Sequence, residues 1–224
     1  MAATDRINPA RELMKRNDSL RNIVVIGASA GGVEALIDLC RALPSDLPAV
    51  VGVVIHRSPW FRSDIAGLYG LGAKIRVREG QAGEKLEMGT VYFAPADHHM
   101  VFNRTHIELL RGPKVHFTRP AVDCLFLSAA SAFGNRVAGI LLTGGGTDGG
   151  HGLRKIKAAG GLTFVQKPQE AKNPLMPLTG IREDDPEIIS LKQLPALIVG
   201  LAHGQLSKND EPDEYHHLIA SRQT

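Results

Sequence analysis

A strand, a glycine turn and a helix in immediate succession constrain this chain more than any other feature. The stretch is Asn22-Ile23-Val24-Val25-Ile26-Gly27-Ala28-Ser29-Ala30-Gly31-Gly32-Val33-Glu34-Ala35-Leu36. Four consecutive β-favouring apolar residues stop at Gly27, and apolar residues then recur at helical spacing at Val33, Leu36, Ile37 and Cys40. That pattern is the first unit of a parallel α/β sheet. The turn itself matches G-x-S-x-G, in which small residues permit a sharp strand-to-helix turn that leaves a seryl oxygen uncovered. The helix start behind Ser29 offers free N–H groups and a positive dipole end, so the same turn could equally hold a phosphate.

The rest of the chain is read against that unit. Its 224 residues suffice for one α/β domain with a full core. Hydrophobic residues are 43%, charged 22% and aromatic 5%, a globular balance with an aliphatic interior. A net charge of +3, without a dense Lys/Arg run or an aromatic stripe, argues against nucleic acid as a partner. Cys40 and Cys124 lie in apolar helical contexts and read as reduced core residues. No apolar leader and no membrane-length apolar run is seen, so the expectation is a cytoplasmic protein without membrane insertion.

Residues 1–21 read as a polar N-terminal arm, 22–204 as the folded domain and 205–224 as a charged flexible tail. Residues 49–55 form a second strand, apolar on both faces, and His56-Arg57-Ser58-Pro59-Trp60 is the loop at its end. Residues 74–79 alternate as a third. Residues 90–94, 99–103 and 105–109 read as short strands of an antiparallel hairpin at the sheet edge. A helix over 121–133 precedes another buried strand, 136–142, which ends in Thr143-Gly144-Gly145-Gly146-Thr147-Asp148-Gly149-Gly150. A helix, a strand over 162–166, a proline-broken segment to Pro177 and a last helix over 192–203 follow. The fold expected is α/β: a doubly wound, mostly parallel sheet with helices on both faces and an appended antiparallel hairpin.

Three loops therefore sit at carboxyl ends of parallel strands, carrying Ser29, His56 and Asp148. In an open α/β sheet such loops share the edge where ligands bind. A serine needs a base to become a nucleophile, an imidazole can serve, and a carboxylate fixes its tautomer. The glycine turn before Asp148 supplies unhindered N–H groups for an oxyanion. The order Ser…His…Asp differs from that of α/β-hydrolases but not from a triad as such. Asp148 could instead be a helix N-cap, and Asp97 and Asp123 are alternative carboxylates. Adjacent histidines at 98 and 99 point to opposite strand faces, so no metal site is expected there. A nucleotide or phosphate site ranks last, because both G-x-G-x-x-G and the P-loop pattern are missing.

Taken together, the elbow, the strand ending in His56, Ala94-Pro95-Ala96-Asp97-His98-His99-Met100, Pro120-Ala121-Val122-Asp123-Cys124-Leu125-Phe126, Leu142-Thr143-Gly144-Gly145-Gly146-Thr147-Asp148-Gly149, Pro168-Gln169-Glu170-Ala171 and Met176-Pro177 follow one another in order. They resemble the catalytic domain of the chemotaxis protein-glutamate methylesterases (CheB-type) over about residues 23–201. The resemblance implies a serine hydrolase of glutamyl methyl esters on chemoreceptors, often a glutamine deamidase as well, working without cofactor or metal. Carried over residue by residue, Ser29 is the nucleophile, His56 its base and Asp148 the orienting acid, with backbone N–H groups of Ala30 and Gly145 for the oxyanion. The implied partner is a methylated chemoreceptor or similar signalling protein. Two departures stand out. The usual receiver domain does not precede the esterase, so a stand-alone domain is expected, either always accessible or controlled by a separate receiver-domain partner. Gly145 stands where the family usually has Met, which loosens the loop. The competing reading is a non-catalytic signalling or scaffold module of the same fold.

Overall fold

The computed structural model describes residues 20–57 and 64–205. Seven strands form one wholly parallel sheet: β1 (Ile23–Ala28), β2 (Val50–Ile55), β3 (Arg76–Glu79), β4 (Thr90–Phe93), β7 (Val137–Leu141), β8 (Leu162–Gln166) and β9 (Glu187–Ile189). Their order is β3-β4-β2-β1-β7-β8-β9. Strands β5 (His99–Phe102) and β6 (Ile107–Leu110) pair antiparallel in a separate two-stranded sheet.

The central strands are buried on both faces, as their unbroken apolar runs require. One face is covered by α1 (Gly32–Ala42), α2 (Ile65–Gly70) and α6 (Leu194–Ala202), through Leu36, Leu39, Ile65, Tyr69, Leu197 and Ile198. The other carries α3 (Val122–Phe133), α4 (Gly150–Ala158) and α5 (Leu175–Asp184), with Leu125, Phe126, Leu153, Ile156, Met176 and Ile181 packed inward. The β5–β6 hairpin joins this second core through Met100, Phe102 and Ile107, and the Phe102 N–H donates to Ser128 Oγ of α3 (3.0 Å).

Two expectations need correction. Residues 90–93 do not belong to the antiparallel hairpin: β4 lies in the parallel sheet between β2 and β3. A short run of strand-favouring residues carries no mark of its partner, and all four side chains of β4 are buried as an internal strand demands. The proline-broken segment does not run to Pro177: a regular helix, α5, begins at Leu175, because Pro177 is its third residue, where no intrahelical N–H bond is lost. The arm and tail lie outside the described residues except for positions 20, 21 and 205, and so do Ser58, Pro59 and Trp60. Arg21 is anchored, its N–H donating to the Leu201 carbonyl (3.0 Å).

The chain steps from β1 to β2 on one side, then returns to lay β7 against the other side of β1. That reversal is the topological switch point, where the carboxyl ends of strands open a crevice. The loops after β1 and β7 flank it.

Candidate active site

Strand register places the site residues. Ala28 pairs with Ile55, and Gly27 with Leu141. The register continues past the strand ends: the His56 N–H donates to the Ala28 carbonyl (3.1 Å) and the Ser29 N–H to the Thr143 carbonyl (2.9 Å). Ser29 thus sits between His56 and Thr143, one strand spacing of about 4.8 Å from each. Ser29 and His56 are both half-buried at the floor of the crevice. Among the described residues no hydrogen bond joins the Ser29 hydroxyl to the His56 ring.

The elbow is a tight turn. The Gly32 N–H donates to the Ser29 carbonyl (2.9 Å), and Gly31 has φ +85° and ψ 1°. Those angles are what the third residue of a type II turn needs, and only glycine adopts them without strain. With the Ser29 carbonyl held toward Gly32, the Ala30 N–H on the same peptide plane points the opposite way, out of the turn. Gly144 is glycine for a different reason: a β-carbon there would lie 2.7 Å from Ser29 Cβ and in still closer contact with Met176 Sδ. The β7 loop is packed directly against the serine.

His56 and Asp148 meet at 2.8 Å, Nε2 to Oδ2. Asp148 is buried, and its carboxylate accepts three further bonds: from the Val122 N–H (2.7 Å), the Asp123 N–H (2.9 Å) and the Thr118 hydroxyl (3.3 Å). Burial pushes this carboxyl up, but the bond from His56 and the N–H groups of Asp123 and Val122 outweigh it, and the carboxyl ends below its ordinary range. A carboxylate that only accepts forces the proton onto His56 Nε2 and leaves Nδ1 as the basic nitrogen.

Asp148 is also a helix cap, though not of the helix that follows it. The N-cap residue of α3, Ala121, has no capping side chain, and Asp148 supplies the acceptor from 26 residues away. Asp123 is not the partner of His56. Its Oδ1 accepts the Gly149 and Gly152 N–H groups (3.1 and 2.7 Å), capping α4, and its Oδ2 meets His116 Nε2 (2.8 Å). Asp97 lies farther out, where the hydrogen bond from Arg119 and then that from Arg111 outweigh its partial burial and keep its carboxyl low. His98 and His99 bond the carbonyls of Ala96 and Pro113. His116, Asp123 and Asp148 bring ligand atoms within 4.8 Å of one another. All four carboxylate oxygens there already receive a hydrogen bond, so a cation would have to displace the network.

Residues unmarked in the sequence complete the floor. Thr143 accepts from the Asn173 N–H (2.9 Å) through Oγ1, which also lies 3.0 Å from the Ala30 carbonyl. The Thr143 N–H donates to Oε1 of the buried Gln166 (2.8 Å). The Gly144 N–H is committed to the Asn173 carbonyl (2.9 Å), which removes it from the donors expected of the Gly144–Gly146 loop. The N–H groups of Ala30 and Gly145 have no acceptor among the described residues. A polar residue at a strand end gives little advance notice of such a bond, because the partners of Thr143 lie 23–113 residues away along the chain.

The chain as a whole resembles known proteins in sequence and in fold. Residues 24–198 match the model of the CheB methylesterase family. A protein-glutamate methylesterase/protein-glutamine glutaminase of Anaeromyxobacter dehalogenans is 41% identical over 172 residues, covering 74% of this chain and 50% of that protein. A putative protein of the same name from Leptospira interrogans is 32% identical over 192 residues, covering 83% of this chain and 97% of its own length. The chain thus spans about half the length of the first of these and nearly all of the second. The crystal structure of the Thermotoga maritima CheB methylesterase catalytic domain superposes with a TM-score of 0.76 at 31% identity, covering 80% of this chain and 98% of that one. With its fold and most of its length matched, the chain belongs to the CheB methylesterase family.

Proposed function

We propose that this protein is a serine hydrolase that removes methyl groups from glutamyl methyl esters of a chemoreceptor or similar signalling protein, and that the same site deamidates glutamine side chains. The observation that carries the proposal is the convergence of Ser29, His56 and Asp148 at the switch point, with His56 Nε2 on the Asp148 carboxylate. Ser29 Oγ attacks the ester carbonyl while His56 Nδ1 takes its proton. Asp148 holds the ring and stabilises its charged form. The Ala30 and Gly145 N–H groups receive the oxyanion. Protonated His56 passes its proton to the departing methoxide, releasing methanol. Water, activated by the same ring, then hydrolyses the acyl-enzyme to a glutamate side chain.

The names of the relatives support the substrate class. Among the described residues no helix is long and apolar enough to cross a membrane, and both cysteines are free. Free thiols persist in the cytoplasm, which is where we place the protein. Control by a separate receiver-domain protein belongs to the same proposal.

A fluorophosphonate reagent with peptide mapping tests the chemistry. Modification at Ser29 that disappears in His56→Ala is expected. Label elsewhere, or none, means a non-catalytic module. Release of methanol from radiomethylated chemoreceptor membranes, with and without a phosphorylated receiver protein, then tests substrate and control.

A further inference from the structure

Beside the candidate site lie residues 111–119, whose Arg111 and Arg119 are paired with Asp97 and whose His116 is paired with Asp123, leaving Lys114 exposed. Within them Val115 and Thr118 exchange both backbone hydrogen bonds (3.1 and 2.9 Å), closing a two-residue turn at His116-Phe117. Both turn residues are left-handed, with φ +48° and +62°. That is the type I′ geometry, for which Asn-Gly is the favoured pair. A single exposed apolar side chain is ordinary. An aromatic residue in the left-handed region is not, and Phe117 is there with 95% of its surface exposed. Glycine would cost less on both counts.

The turn is fastened to the site. Thr118 Oγ1 reaches Asp148 Oδ2, and His116 Nε2 bonds Asp123 Oδ2. The base is pinned where Arg119 grips Asp97 and the Gly112 carbonyl. A second segment behaves alike: Asn173 bonds Thr143 and Gly144, and Leu175, two residues on, is 54% exposed. Both segments that buttress the site thus carry an exposed apolar side chain.

We propose that Phe117 is a docking finger for the protein that carries the ester, fitting an apolar notch on a helical surface beside the esterified side chain. The inference rests on the esterase reading above. An esterified side chain must reach half-buried Ser29 while its carrier stays at the rim. On a helix, residues three and four positions away share the face of that side chain, at about 5–6 Å. An apolar residue there meets the Phe117 ring. A carboxylate beside it meets the exposed Lys114.

Phe117→Gly in the full chain separates docking from folding. We expect a melting temperature equal to or above that of the parent protein, because the left-handed strain is relieved. The rate of Ser29 phosphonylation by a small fluorophosphonate should be unchanged. KM for radiomethylated chemoreceptor membranes should rise about tenfold or more with kcat unaltered, as loss of an aromatic anchor predicts. A KM within twofold of the parent overturns the proposal, as does a fall in melting temperature or in phosphonylation rate, which would make Phe117 structural. If the parent protein labels at Ser29 yet releases no methanol, the ester reading itself fails and this proposal fails with it.

Discussion

Asp148 and Asp123 cap each other's helices. The Asp148 carboxylate receives the first N–H groups of α3, including that of Asp123, while Asp123 Oδ1 receives the Gly149 and Gly152 N–H groups at the start of α4. The exchange sets the orientation of the Asp148 side chain, and through it the His56 ring, by a bond between two helices rather than by the loop alone.

Asp123→Ala therefore leaves two buried N–H groups without an acceptor, and a loss of about 2–4 kcal/mol is expected in urea unfolding. Turnover should fall at least tenfold as Asp148 loosens. Asp123→Asn keeps the Oδ1 acceptor and should cost less than about 1 kcal/mol. Equal effects of the two substitutions would show that the cap is not what Asp123 provides.

Asp148→Asn should lower turnover by about 10⁴-fold, the loss seen when a triad aspartate becomes an amide. Its stability carries a pH signature. The folded Asp148 carboxyl sits below its ordinary value of 3.8, so its contribution is present above that pH and is lost as pH falls through the depressed folded value. The gap in unfolding free energy between the parent protein and Asp148→Asn should hold steady from neutral pH to about 5 and shrink below about 3.8. A gap independent of pH down to 3 would contradict the assignment.

The adjacent glycines of the β7 loop should respond differently. Gly144→Ala drives a β-carbon into Ser29 and Met176 and should cut turnover by about 10² or more through displacement of Ser29. Gly145→Ala meets only Asn173 Nδ2, at 3.1 Å, and that side-chain end can shift. Its backbone N–H survives, so stability should change by less than about 1 kcal/mol and turnover by less than threefold. Steady-state kinetics on one ester compares the pair directly.

Neither thiol should react readily at neutral pH. Burial pushes Cys40 up to about 12 and Cys124 up to about 11, the latter helped by the Asp148 and Asp123 charges. Iodoacetamide at pH 7 should leave both unmodified and hydrolysis intact, while the serine reagent abolishes it. Inactivation by the thiol reagent would point to Cys124 instead of Ser29.

What the sequence determined by itself is local. Residues 22–36 dictate strand, turn and helix, because apolar periodicity and the glycine of a type II turn act between near neighbours. Runs apolar on both faces made parallel strands legible, and with them the common edge shared by Ser29, His56 and Asp148. Tertiary structure alone decided the rest. The turn at Phe117 lacks the Asn-Gly signature, and nothing in residues 90–93 named β2 and β3 as neighbours. Asp148 looked like a cap for the helix after it, yet it caps α3 and meets His56 with the same oxygen. The Gly144 N–H looked available for an oxyanion until Asn173 claimed it. Such choices depend on which helix start or carbonyl packing brings within about 3 Å, and a hydrogen bond that short-ranged leaves no periodic trace along the chain.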